Sequence, residues 1–175
     1  MKKEKIIAVL IFILSLILSA SFFIFKDYLS GFTSLGLLGL FLINFVSNAS
    51  LFISAPAFLS VIAGGSMYSP LLVALVSSLG AGLGDMVGYA LGLSGRKIIN
   101  HKLEKKIWFR VFENYFKKYG SIIILVLAFV PNPFFDAMGI FVGISGYSAK
   151  KFFLLILIGR FVRFLLLAYA GKSWF

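Results

Sequence analysis

The sequence predicts an all-α integral membrane protein. Its expected plan is an inverted repeat of a re-entrant hairpin plus a transmembrane helix, with an extra N-terminal transmembrane helix and a cytoplasmic amphipathic helix. Three observations carry this. Apolar residues make up 61% of the 175 positions and charged ones 13%, against about 45–50% and about 25% in a soluble domain, so a water-facing surface cannot be assembled. No charge occurs from Tyr28 to Gly84. Two further apolar stretches are interrupted at their centres by polar residues and proline, where a simple span would be apolar.

The elements follow in order. Ile6 to Phe25 is an unbroken apolar run behind Lys2, Lys3 and Lys5, about the ~20 residues a helix needs to cross a bilayer. It continues past Ser19-Ala20-Ser21 and is longer than a signal-peptide core, so residues 1–33 are read as a retained helix and its outer loop. Within 34–65 the middle is polar: Asn44, Ser47, Asn48, Ser50 and Ser54 precede Pro56. A helix is expected over 70–93, its Gly80, Gly84, Gly88 and Gly92 recurring every four positions on one face, a spacing that lets membrane helices approach closely. Packing within one chain or between two copies would use the same stripe.

Residues 97–119 alternate apolar and basic positions at helical spacing, which suits a helix lying in the interface. The stretch 121–146 is broken by Pro131-Asn132-Pro133-Phe134-Phe135-Asp136, and a last helix is expected over 150–171. Together 34–175 form one domain.

Charge parity sets the topology. Eight Lys/Arg lie between Arg96 and Lys118, which places this segment (94–120) and the N-terminus in the cytoplasm. A full crossing by 34–65 would put the basic segment outside, so 34–65 enters from outside and returns, turning near Pro56. By the same argument 121–146 enters from the cytoplasm and turns at Pro131 and Pro133. Shifting the chain by 79 aligns Gly64, Ser66, Tyr68, Ser69, Leu75, Gly80 and Gly92 with Gly143, Ser145, Tyr147, Ser148, Leu154, Gly159 and Gly171. Inverted repeats with broken helices meeting at midplane recur in secondary transporters.

Charges at membrane depth are functional candidates because each costs ~2.5–3.5 kcal/mol on insertion scales. Asp85 and Arg160 are mid-helix, Asp136 is at the inner tip, and Tyr89 is one turn beyond Asp85. The repeat sets Arg160 on Ala81, one turn from Asp85, so the two are expected to meet. The plainer reading is a pair, Asp85–Arg160 or Asp136–Arg160, that only locks helices. Arg163, nearer the outer end, is expected to snorkel. A carboxylate away from water can carry a proton at accessible pH, and a buried guanidinium matches a phosphate. Asn132, Asn48 and Ser54 would add neutral hydrogen bonds or cap the hairpins.

Other chemistry is excluded by composition. There is no Cys and a single His, His101, so no thiolate nucleophile, His-based metal site or Ser–His–Asp triad can be built, and no enzyme and no cofactor is expected. The net charge of +11 flanks apolar segments and forms no nucleic-acid stripe; it answers anionic headgroups.

These residues resemble the DedA/VTT-domain (SNARE-associated) superfamily over about Phe52 to Gly171. The carriers are Pro56, Gly64-Gly65-x-x-Tyr68-Ser69-Pro70, Gly80-x-Gly82-x-Gly84-Asp85-x-x-Gly88-Tyr89-x-x-Gly92-x-x-Gly95-Arg96, and Val130-Pro131-Asn132-Pro133-Phe134-Phe135-Asp136-x-x-Gly139. The Pro-Asn-Pro stretch looks most like the vacuole membrane protein branch. The resemblance implies two opposed re-entrant hairpins and movement of phospholipid or polyprenyl-phosphate lipid between leaflets. Bacterial members carry a Glu in the first hairpin, whereas residues 44–60 here contain no acid. The expected partners are membrane lipids, anionic or phosphate-bearing, with a homo-oligomer left open and no nucleic acid. The alternatives are a proton- or ion-coupled carrier of a small solute, and a non-transporting membrane scaffold.

Overall fold

The computed structural model describes residues 35–49, 55–103, 107–130 and 135–174. The predicted N-terminal helix and the tip residues Pro131, Asn132 and Pro133 lie outside them. Two compact units are delimited, Met1–Gly39 and Leu40–Phe175. Of the first, only 35–39 is described, a turn and the opening of a helix; the second is the body described below.

Six helices and no strand occur among the described residues: α1 Gly36–Ala49, α2 Ala55–Met67, α3 Pro70–Leu103, α4 Ile107–Phe129, α5 Phe135–Ser145 and α6 Ala149–Trp174. Two contain spans long and apolar enough to cross a membrane, Pro70–Arg96 and Ala149–Ser173. By contrast α1, α2 and α5, with 14, 13 and 11 residues, reach only about 16–21 Å at 1.5 Å per residue, short of the ~30 Å hydrocarbon core.

Local chemistry sets the joints. Pro70 opens α3, where its missing N–H costs nothing. Ser69 caps the helix, its Oγ accepting from Leu72 N at 3.4 Å and its carbonyl from Val73 N at 3.1 Å. Pro56 likewise stands in the first turn of α2. The end of α5 is a Schellman cap: Tyr147 N donates to the Val142 carbonyl and Gly146 N to that of Gly143, at 3.4 and 3.1 Å. Gly146 adopts φ 70°, a left-handed conformation that favours glycine.

Two boundaries differ from expectation. The helix expected over 70–93 runs on to Leu103, because Ser94-Gly95-Arg96 contains no breaker strong enough to stop it. The amphipathic segment 97–119 is not a separate helix: its beginning completes α3, and its end opens α4, which continues without a break through Gly120 to Phe129. A lone glycine costs a helix only ~1 kcal/mol, less than a turn there would lose in backbone hydrogen bonds.

Glycine lets the helices meet backbone to backbone. Gly139 faces Asp85, Gly88 and Tyr89 while Gly143 faces Tyr89, Gly92 and Leu93, so α5 runs parallel to α3. A Cβ on Gly92 would meet the Ile140 carbonyl, and one on Gly143 the Tyr89 carbonyl. The same pattern joins α2 and α6: Gly65 meets the Ala168 carbonyl and Gly171 that of Ile62. The remaining glycines of the stripe turn elsewhere, for Gly80 meets Phe41 and Gly84 meets Phe45 and Ala49 on α1. The stripe is therefore consumed within this chain, half by α1 and half by α5. Along α1 and α2 the order reverses: Leu40 packs on Gly64 and Asn44 reaches Ser60, so these helices are antiparallel.

Large apolar side chains cover the outside as well as the core, and several polar ones are buried. Leu71, Leu91, Leu154, Ile158 and Leu166 are exposed, while Asn44, Asn48, Ser77, Ser78, Asp85 and Arg160 are buried. Such an outer surface suits hydrocarbon.

Gly143→Ala is expected to lower stability by ~1–3 kcal/mol through overpacking against α3, read as a lower melting temperature in detergent. Gly95→Ala, with nothing within 4 Å of its Cβ position, should melt at the same temperature or higher.

Candidate functional site

The middle of α3 is where the fold converges. Pro70–Arg96 is 27 residues long, and Gly84-Asp85 lies beside its midpoint. The last turn of α1 arrives at Gly84 through Phe45, Asn48 and Ala49, and α5 arrives at the Asp85 carbonyl through Gly139. From α6 comes Arg160.

Arg160 and Asp85 form a side-on bidentate pair. Arg160 Nε donates to Asp85 Oδ2 at 2.6 Å and Nη2 to Oδ1 at 2.8 Å. The residues are only 2% and 5% exposed. A guanidinium presents two parallel N–H groups that match a carboxylate, so each charge answers the other where water cannot. Room for the arginine comes from its neighbour: Gly159 lies against Ala128 and the Leu125 carbonyl of α4, which brings α4 close and closes the surroundings of the pair.

Other candidates have different places. Tyr89 is buried and its hydroxyl donates to the Tyr147 carbonyl at 2.6 Å, while its ring stacks on Phe152 at 5.4 Å. It pins the α5–α6 turn to α3. Tyr147 continues the lock, sharing a 2.6 Å hydrogen bond with Ser121 and meeting Phe116 edge-on. Asp136 lies in the first turn of α5. Pro131, Asn132 and Pro133 stand just before it, outside the described residues.

The structure corrects the reading of Arg163. It does not snorkel; it is buried, with its guanidinium 4.1 Å from the centre of the Phe58 ring of α2 and 5.5 Å from that of Phe164. An aromatic face stabilises a desolvated cation by ~2 kcal/mol, which offsets much of the cost of burying it. Sequence reasoning had no signal for this, since Phe58 is one of 21 Phe. Gly139 was legible only as part of a motif, and its job, opening α3 to α5 at Asp85, comes from the packing.

The glycine run and the Asp85 within it fall inside a single family match. The family model for the VTT domain matches residues 55–173. The chain belongs to the VTT-domain family. The matched region begins where α2 begins and ends with α6, so the VTT domain holds both helix pairs and the Asp85–Arg160 bond, while α1 stands before it. The chain is thus a membrane protein of this family. Nothing among curated proteins matches the chain, and no solved structure does.

Breaking the pair from one side should be costly and removing both sides cheap. Asp85→Leu or Arg160→Met alone is expected to lose ~3–5 kcal/mol, because each strands a buried charge, and the double variant to recover most of it. Thermal unfolding of the four proteins closes the cycle; additive losses would mean that the pair is not coupled.

Proposed function

We propose that this VTT-domain protein moves lipid between membrane leaflets, phospholipid or polyprenyl-phosphate, along a path between two opposed re-entrant hairpins. One observation carries the reading: short helices from both halves of the chain end or begin beside the midpoint of a spanning helix, at a buried ion pair. In a bilayer that point is the hydrocarbon centre, where broken backbone is tolerable only if buried in protein or lining a wet cavity.

The glycine contacts support the inverted repeat behind this path. Adding 78 to Ile62 and Gly65 of α2 gives Ile140 and Gly143 of α5. Adding 79 to Tyr89 and Gly92 of α3 gives Ala168 and Gly171 of α6. The carbonyl approaches that join α2 to α6 and α5 to α3 map onto each other under these shifts, with α2 one residue off the 79-residue register that sets Gly64 on Gly143. Each unit is a short arm plus a spanning helix, and each arm packs on the other unit's long helix. The first arm enters from outside and the second from the cytoplasm, with the N-terminus and residues 94–120 cytoplasmic. The headgroup passes Asp136 and Asn132 at the inner tip and Asp85 and Arg160 at the centre, while the acyl chains stay in the bilayer. The basic segment gathers anionic headgroups on the cytoplasmic side.

The test is purified protein in liposomes carrying a fluorophore-headgroup lipid, bleached from outside by an impermeant reductant. Bleaching well beyond the outer half, without a pH gradient, is expected for passive movement and should fall in folded Asp136→Asn. Activity that needs a gradient would favour a coupled carrier. No bleaching beyond half under either condition, with Asp136→Asn altering stability alone, would favour a scaffold.

A further inference from the structure

Buried polar atoms ordinarily have partners, because an orphaned one has given up its hydrogen bonds to water and gained none in return. Two amide oxygens on one side of α1 have none, Asn44 Oδ1 and Asn48 Oδ1. Their side chains belong to residues that are 0% and 3% exposed.

The orientation of both amides is determined. Asn44 Nδ2 donates to the Leu40 carbonyl at 2.8 Å and to Ser60 Oγ at 3.2 Å, and Asn48 Nδ2 donates to the Asn44 carbonyl at 2.7 Å. A carbonyl oxygen only accepts, so turning either amide over would press two acceptors together. Ser60 spends its own proton on the Ala57 carbonyl at 2.8 Å and has none to return to Asn44. Two amide oxygens with unused lone pairs therefore stand one helical turn apart, with β-carbons about 5–6 Å from each other.

We propose that Asn44 and Asn48 bind the ammonium group of a zwitterionic amine–phosphate lipid headgroup. The sign comes first: oxygens that can only accept select a donor or cation and repel a phosphate. Geometry comes second. A calcium-like ion wants six to eight oxygens at about 2.3–2.6 Å, whereas an ammonium carries three donors and bonds acceptors at about 2.7–3.2 Å, so it can join oxygens on successive turns. Charge comes third. No charged side chain occurs from Tyr28 to Gly84, so α1 and α2 supply no counter-charge. A free cation would enter at the full cost of burial, while a zwitterion brings its own phosphate.

Position agrees with this occupant. The Asn48 backbone lies against Gly84, so the site stands at the level of Asp85, where a headgroup crossing the bilayer has to pass. Both asparagines precede residue 55, outside the matched VTT domain; the site belongs to α1. The identity of the occupant rests on the lipid-transport reading, and binding is measured apart from transport.

The experiment titrates the full-length protein in detergent with dihexanoyl phosphatidylethanolamine and follows the melting temperature. Dihexanoyl phosphatidylcholine keeps the charges of that headgroup and has no N–H; dihexanoyl phosphatidylglycerol has no amine; methylammonium chloride has no phosphate. Saturable stabilisation is expected from the ethanolamine lipid, with at least tenfold weaker apparent affinity for the other three. Asn48→Leu should weaken the ethanolamine lipid at least tenfold. Equal affinity for ethanolamine and choline lipids overturns the proposal even if no variant folds. Equal stabilisation by methylammonium overturns the zwitterion, and no stabilisation by any amine leaves water as the occupant and overturns the site. The two readings separate: if the lipid series holds but liposomes show no movement, transport fails and the site stands. If lipid moves but binding shows no ethanolamine preference, transport stands and the site fails.

Discussion

A guanidinium and a carboxylate with almost no exposure survive beside hydrocarbon because each stands in for the other's solvent. The Asp85–Arg160 bond dictates much around it. It demands that α3 and α6 lie within a side chain's reach and that their middles be level. It also requires neighbours packed closely around both side chains. Gly159 admits α4 to one side of Arg160, and Gly139 admits α5 to the Asp85 carbonyl. Apolar association contributes little to such an assembly, since lipid tails are as apolar as leucine. Close backbone contact and satisfied polar groups carry it instead.

The glycines provide that contact at a cost in helix propensity of ~1 kcal/mol each. In exchange, carbonyl oxygens of one helix come against the Cα atoms of the next, as in the pairs of α3 with α5 and α2 with α6. Weak Cα–H···O contacts accompany such approaches. The hydroxyl of Tyr89 on the Tyr147 carbonyl and the Schellman cap at Gly146 then fix how α5 hands over to α6. The same region thus solves two problems, closing a turn and tying that turn to a neighbouring helix.

Much of this was legible in the sequence, for reasons that can be named. The long helices were visible because hydrocarbon tolerates few polar residues across a span, and Pro70 marked the start of α3 through its missing N–H. The meeting of Asp85 with Arg160 could be anticipated because a 79-residue offset set Arg160 one turn from Asp85. The end of α3 was not legible: charge changes sharply after Gly95, but a helix stops for want of hydrogen bonds or room, and neither fails there. The division of the glycine stripe between α1 and α5 was hidden as well. A spacing of four defines a face, and a face does not say how many helices share it. Arg163 escaped because a cation's partner can be an aromatic ring, which carries no charge to flag it.

Backbone-to-backbone packing has a mechanical consequence. Where carbonyl meets Cα there is no rotamer to adjust, so α2 with α6, and α3 with α5, behave as two stiff plates. Between the plates the contacts are made by side chains such as Phe153 and Leu157 against Gly82 and by the Arg160 fork. A rocking of one plate on the other would have to rearrange those side-chain contacts, the Asp85–Arg160 pair among them.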